Sequence, residues 1–391
     1  MNDLTKAFVQ FFSSLRLTVV LLALSMVLVF VATLAQVEIG IYGVQEKFFR
    51  SFFVLAKFPG TDIPFPIMPG GYLVGGFLMI NLVSAHLTRF KLSWSKVGIH
   101  LTHIGLMVLL LGEFVIGIVQ EDFSLRLQEQ QTLAYSESFR RNEIALVNKT
   151  DALEDEVISI PESFLTKRTP VQHGSMPFQV ITRAYYPNAN IGLLSSLPEG
   201  IDATAMAPNF STRGIGPRLG ISPLPYTYND QERNLPTAIV ELLGTRGSVG
   251  TWLVSPMLVA PQPFEYEGES WEIAFRFERE YKPFSVELIE LRHDEYAGSN
   301  IPKNFSSLVT VRAIDGSEER ESLIYMNHPL RYHGFTFYQY QMDSANGFSV
   351  LQVVRNPARW LPYVACILIT LGLLWQFTYH LGRFAQRRKA N

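Results

Sequence analysis

Cysteine is almost absent from this 391-residue chain: Cys366 is the single one. That excludes an intramolecular disulfide, a Cys-x-x-Cys redox pair, a Cys-x-x-Cys-His attachment site and any zinc site with two or more cysteine ligands. Charge is scarce as well. Charged residues make up 17% of the chain, against roughly a quarter in an ordinary soluble domain. The net charge is -2, so no basic surplus points to nucleic acid. There is no Ser/His/Asp elbow, phosphate loop or glycine-rich nucleotide fingerprint. No short-period repeat or low-complexity tract occurs, and no catalytic set of residues is visible. What the chain has in quantity is apolar surface: 48% of residues are hydrophobic and mean hydropathy is +0.13. Its length allows two or three domains, at about 150 residues each.

Four apolar stretches stand out, at about 17–37, 71–88, 97–118 and 360–379. A helix needs about 20 apolar residues to cross a bilayer, so each reads as a membrane span. Lys6 and Arg16 precede the first, as in a signal peptide. That stretch is longer than a signal h-region and lacks a clear small-residue cleavage site, so it reads as an anchor. Cationic residues then set the orientation. Lys6 and Arg16, the loop residues Arg89, Lys91 and Lys96, and the tail residues Arg383, Arg387, Arg388 and Lys389 all fall on one side if the chain crosses four times. Both termini are then cytoplasmic. Residues 38–70 form an outer loop, and 119–357 an extracytoplasmic domain. Residues 358–391 hold the fourth span and a basic tail.

Within 119–357 the pattern is short and alternating. Residues 124–128, 143–147, 178–183, 238–242, 271–276, 308–312, 335–338 and 348–354 read as strands, punctuated by Gly, Pro, Asn and Asp. Residues 188–234 are rich in Gly, Pro and Ser and read as a long loop or insertion. The expected fold is therefore a membrane protein with four transmembrane α-helices and a large all-β extracytoplasmic domain between helices 3 and 4.

Three of the eight histidines gather near the cytoplasmic side: His86 at the inner end of the second span, His100 and His103 at the start of the third. Positions i and i+3 share a helix face. At about 1.5 Å per residue, His103 stands about 9 Å above Val97. Ionisable groups at that depth are functional candidates, and neutral imidazole is an axial ligand for haem iron. Interfacial or interhelical hydrogen bonding is the plainer role for such histidines. Gly98, Gly105 and Gly112 on the same helix would let a flat macrocycle or another helix come close. Glu113 reads as a polar residue paired with another helix or with headgroups, rather than as a proton site. Cys366, alone in its span, reads as a small hydrophobe. His328 and His333 read as turn residues beside Pro329 and Gly334, rather than as metal ligands.

Several segments together resemble the ResB/CcsB family of cytochrome c biogenesis proteins, membrane partners of the CcsA/ResC haem-handling protein. They are Ser14-Leu-Arg-Leu-Thr-Val-Val20, Gly98-Ile-His-Leu-Thr-His-Ile-Gly105, Lys282-Pro-Phe-Ser-Val-Glu-Leu288, Glu295 to Ser307, Ile324 to Tyr332 and Gly334 to Gln339. The resemblance implies a subunit that helps pass haem to the outer face of the inner membrane and supports its covalent attachment to apocytochrome c. It implies haem b, held transiently and shared with the partner. The partners it implies are a separate CcsA/ResC-like protein, apocytochrome c, and a thiol-reducing protein that acts on apocytochrome c. Such families give a transmembrane histidine to haem. His103 fits best, with His86 and His100 as rivals, and no metal beyond haem iron is expected. Two other readings compete. One is an anchored extracytoplasmic binding or sensor protein, for which four spans are more than anchoring needs. The other is a cytochrome b-like subunit, which would need two histidine pairs on facing helices.

Overall fold

A computed structural model describes residues 3–58, 61, 63–89, 93–151, 154–195, 206–227, 233–295, 302–343 and 346–390. Two compact units divide the chain. The first comprises 1–121 and 355–391, the second 122–227 and 232–354. Lys91, residues 296–301 of the Glu295 to Ser307 motif, and parts of the 188–234 stretch lie outside the described residues.

The first unit begins with α1 (Asp3–Phe12) and α2 (Leu15–Val44), followed by a π-helical turn at Gln45–Phe49. A two-stranded hairpin, β1 (Phe53–Lys57) with β2 (Pro64–Pro69), leads into α3 (Gly71–Arg89). A 3-10 turn at Trp94–Lys96 precedes α4 (Val97–Val119). The apolar run of the first span thus continues as helix beyond 37, until Gly40 breaks it with φ 69°. Val44 and Phe48, past the break, share one buried cluster with Leu28 and Ala32. A straight helix would carry Val44 about 18 Å past Ala32. The chain therefore folds back at Gly40, where glycine alone adopts that backbone without strain.

The second unit is β-rich. Its elements are β3 (Glu121–Gln128), β4 (Thr132–Asn148), β5 (Glu156–Pro161), α5 (Glu162–Thr166), β6 (Phe178–Tyr186), β7 (Ala189–Leu193), β8 (Leu219–Pro223), β9 (Thr237–Gly244), β10 (Gly247–Val254), β11 (Gln262–Tyr266), β12 (Glu269–Glu295), β13 (Pro302–Ala313), β14 (Glu319–Tyr325), β15 (Leu330–Tyr332), β16 (Phe335–Asp343) and β17 (Phe348–Arg355). After it comes α6 (Leu361–Ala390), which belongs to the first unit. Four helical stretches among the described residues are long and apolar enough to cross a membrane: Leu15–Phe49, Gly71–Thr88, Trp94–Val119 and Leu361–Arg388. This is a membrane protein with a large β-rich unit, inserted in sequence between the third and fourth of these helices.

The alternation that marks the strands in the sequence also builds their cores, because successive strand side chains point to opposite faces. The main sheet runs β14-β13-β12-β4-β3-β17-β16-β15 and curls back on itself, with Tyr325 bridging to His328. Phe123, Leu125 and Leu127 of β3 point inward with Phe284, Val286 and Leu288 of β12. The long strands β4 and β12 run on into a second body. There Trp271, Ile273 and Phe275 face Phe178, Val180, Val240 and Leu242 of the β10-β9-β6 sheet. The 188–234 stretch departs from the expected loop. β7 and β8 pair within it, and Ala189, Ile191, Leu219 and Ile221 join a third buried cluster. Asn209 braces the return by donating to the carbonyls of Gly216 (2.8 Å) and Leu219 (2.7 Å). The sequence hides this because a side-chain hydrogen-bonded loop has no periodicity.

Candidate functional site

The three histidines lie on facing parts of α3 and α4. His100 Nδ1 and His86 Nε2 are 3.2 Å apart, a hydrogen bond whose donor is set by the tautomers. Their ring centroids are 4.8 Å apart, edge to face, and the His86 and His103 centroids are 6.0 Å apart. His100 is buried, while His86 and His103 are half-buried. Two helices contribute because the short connection after Arg89 returns the chain antiparallel. A ligand-bearing imidazole is commonly oriented by a hydrogen bond to its second nitrogen. The His86–His100 contact can serve that role.

The glycines of α4 face elsewhere. Gly98, Gly105 and Gly112 recur every seven residues and make one stripe. At about 100° per residue, His100 and His103 are turned about 200° and 140° from Gly98. The stripe is filled by α6: a Cβ on Gly98 would stand 2.6 Å from the Gly372 carbonyl oxygen, and one on Gly105 2.6 Å from Ile369 Cγ1. Of the two expected neighbours, helix or macrocycle, the structure puts the helix there. At one end of this packing, Trp375 Nε1 donates to the Trp94 carbonyl (3.0 Å). Gly75 and Gly76 of α3, by contrast, have nothing within 4 Å of an added Cβ.

The remaining candidates separate from this cluster. Glu113 is exposed on α4, Cys366 is exposed on α6, and His380 meets Gln376 of its own helix at 2.6 Å. His328 and His333 sit in the turns on either side of β15, with Asn327, His333 and Gly334 at positive φ. His328 stacks on Tyr325 (4.6 Å). The motifs Lys282 to Leu288, Ile324 to Tyr332 and Gly334 to Gln339 converge on one aromatic core. There Phe284 contacts the rings of Tyr332 (4.9 Å), Phe335 (6.1 Å) and Phe337 (6.2 Å). Lys282 is buried in this core with Nζ 3.9 Å from the Phe335 ring centroid and 5.5 Å from that of Phe123. These motifs build the fold of the β-rich unit.

Sequence reasoning missed Asn81, buried in the middle of α3. Its Nδ2 donates to the carbonyls of Phe12 (2.6 Å) and Ser14 (3.1 Å), and Thr18 Oγ1 donates to its Oδ1 (2.7 Å). Those carbonyls lie where α1 gives way to α2, so Asn81 satisfies a helix break from another helix. A lone asparagine in an apolar run was the available signal.

Residues 265–347, which hold Lys282, Phe284 and Tyr332, match the sequence model of the ResB-like family. In this segment the chain is similar to the ResB-like family. It is also similar to Protein NrfI of Wolinella succinogenes, 32% identical over 104 residues. That match takes in 26% of this chain and 11% of the relative, so the chain spans a small part of the length of the curated relative it matches.

Proposed function

We propose that this ResB-like chain is a cytochrome c biogenesis protein. In this reading it is a subunit of an inner-membrane complex that passes haem to the outer face and supports its attachment to apocytochrome c. The observation that carries the reading is the histidine cluster on two apolar helices, in which the His86 ring centroid lies 4.8 Å from that of His100 and 6.0 Å from that of His103. Haem is the cargo and brings its own four equatorial nitrogens, so the chain needs to supply only an axial imidazole. Among the described residues no group of three or more His, Cys, Asp or Glu side chains is disposed to hold a bare metal ion. The donor set therefore suits a macrocycle better than an ion. His103 holds the iron in this proposal, with His86 and His100 as rivals or as the hydrogen-bonded pair that fixes the site's shape.

The cluster lies near the cationic end of the spans. His86 is three residues before Arg89, and His100 is four after Lys96. By the positive-inside rule that end is cytoplasmic, which puts both termini inside and the β-rich unit outside. The Trp94–Trp375 contact supports this, since it sets the turn before α4 beside the middle of α6, whose following turns carry Arg383, Arg387 and Arg388. The outer unit then stands where a CcsA/ResC-like partner and apocytochrome c meet. With one cysteine of its own, this chain leaves reduction of the apocytochrome thiols to another protein.

The test is haem staining of c-type cytochromes in cells that lack the chain and in cells carrying His103→Ala. The proposal expects covalently haem-stained cytochrome c to disappear without the chain and to fall sharply in the variant, with the apocytochrome still made. Normal staining without the chain would overturn it.

A further inference from the structure

The connection between the first two spans reads in sequence as a loop in water. Its structure is a hairpin with two apolar faces. Val54 on β1 is buried, and with Met68 on β2 it packs on Leu28 and Ala32 of α2. The opposite face and the flanks leave Phe52, Phe53, Leu55, Phe58, Ile63 and Ile67 exposed, with Phe53 51% and Leu55 59% accessible. Soluble surfaces rarely present so many large apolar side chains together.

The height of this hairpin is fixed by two chains of contact. Asn81 ties α3 to Ser14 and Thr18 at the start of α2. Gly71 lies ten residues before Asn81, and Leu28 ten residues after Thr18; both are therefore about 15 Å along their helices from that tie. The second tie is steric. A Cβ on Gly70 would stand 2.3 Å from the Ser51 carbonyl oxygen, and one on Gly71 2.3 Å from that of Phe49. Glycines at this corner let the two ends of the hairpin close against the start of α3. That helix has 19 residues, about 28 Å, and so matches the roughly 30 Å hydrocarbon core from end to end. Gly71 consequently marks the boundary of the core opposite Arg89, and the hairpin is held at that boundary. Its exposed face continues the apolar outer surface of α2, where Val29 and Phe30 are exposed at the same height.

We propose that the β1–β2 hairpin is seated in the lipid bilayer, at the border between headgroups and acyl chains, with Phe53, Leu55 and Ile67 facing lipid. It acts as a fixed interfacial plate between the first two spans, and Lys57 at the end of β1 stands toward the headgroups. Lipid is the occupant because the plate is joined at both ends to membrane helices and cannot leave that level. This inference needs the spans to cross a membrane and does not depend on haem.

The test uses the full chain in phosphatidylcholine nanodiscs, with Cys366→Ser removing the single native cysteine. Nitroxide spin labels are placed by Leu55→Cys and, separately, by Ile67→Cys. Phe30→Cys on α2 is the lipid control and Ser317→Cys in the β-rich unit the water control. Power-saturation spectroscopy reads collision with oxygen, which concentrates in lipid, against a nickel chelate, which stays in water. Both hairpin labels are expected to favour oxygen, as Phe30→Cys does. Preference for nickel, as at Ser317→Cys, would overturn the proposal; it is also what a surface reserved for a protein partner would show in the isolated chain. Protection from both reagents would overturn it too, because it would mean that protein covers the face.

Discussion

Asn81 shows what one polar side chain does in an apolar helix. Two of its three hydrogen bonds satisfy backbone carbonyls at the break between α1 and α2, and the Thr18 hydroxyl donates the third. Asn81→Leu keeps the branched shape and removes the partners, so it should destabilise the chain by about 1–3 kcal/mol. Thermal unfolding in detergent checks the loss, and protease cleavage near Ser13 should increase with it. In the β-rich unit, Glu241 is mostly buried, and its carboxyl is held below the usual range by the Ser248 hydroxyl and then by Arg183, against the opposing effect of burial. A depressed carboxylate stabilises the fold above its unfolded pKa, about 4.3 for Glu, and loses that contribution as pH falls through the folded value. Glu241→Gln should therefore unfold at a lower temperature than wild type at pH 7, and the gap should narrow below pH 4. The three histidines were legible in the sequence because ionisable groups are conspicuous in an apolar run. Which two share a hydrogen bond was not, since that depends on how α3 and α4 turn toward each other.

The helices and strands divide along the same line. Eight strand segments were legible because a buried face enforces alternation along the chain, whereas β10 and the stretch of β12 with Phe284, Val286 and Leu288 were not read as strands although they too are buried. The β7–β8 pair was not legible, since each strand is five residues long and its alternation amounts to two buried positions, Ala189 and Ile191 on one and Leu219 and Ile221 on the other. The glycine stripe of α4 announced a close neighbour without naming it. The neighbour, α6, is separated from α4 by the whole β-rich unit, and local spacing cannot point that far. The two glycine sets now make opposite predictions. Gly105→Leu drives a side chain into Ile369 and the Ala365 carbonyl, and overpacking of this kind costs about 1–3 kcal/mol or more. Gly76→Leu meets nothing within 4 Å and should leave the isolated chain as stable as wild type. Melting both variants in the same detergent decides the matter: equal losses would contradict the packing described.

At the scale of the whole molecule, the chain joins a unit of apolar helices that holds ionisable groups to a β-rich unit that holds the segment similar to the ResB-like family. The segment shared with the ResB-like family, 265–347, lies in the β-rich unit, whereas the proposed haem ligands lie on α3 and α4. The family similarity therefore speaks for the β-rich unit, and the histidine cluster carries the functional proposal by itself. The direct test is an absorption spectrum of the full chain co-purified with the proposed CcsA-like partner. It compares wild type, His103→Ala, and a variant with His86, His100 and His103 all replaced by alanine. The account predicts a haem Soret band in the wild-type complex, weakened or lost in His103→Ala and absent in the triple variant while the complex stays assembled. A band of undiminished intensity in the triple variant would place every ligand in the partner and contradict the proposal.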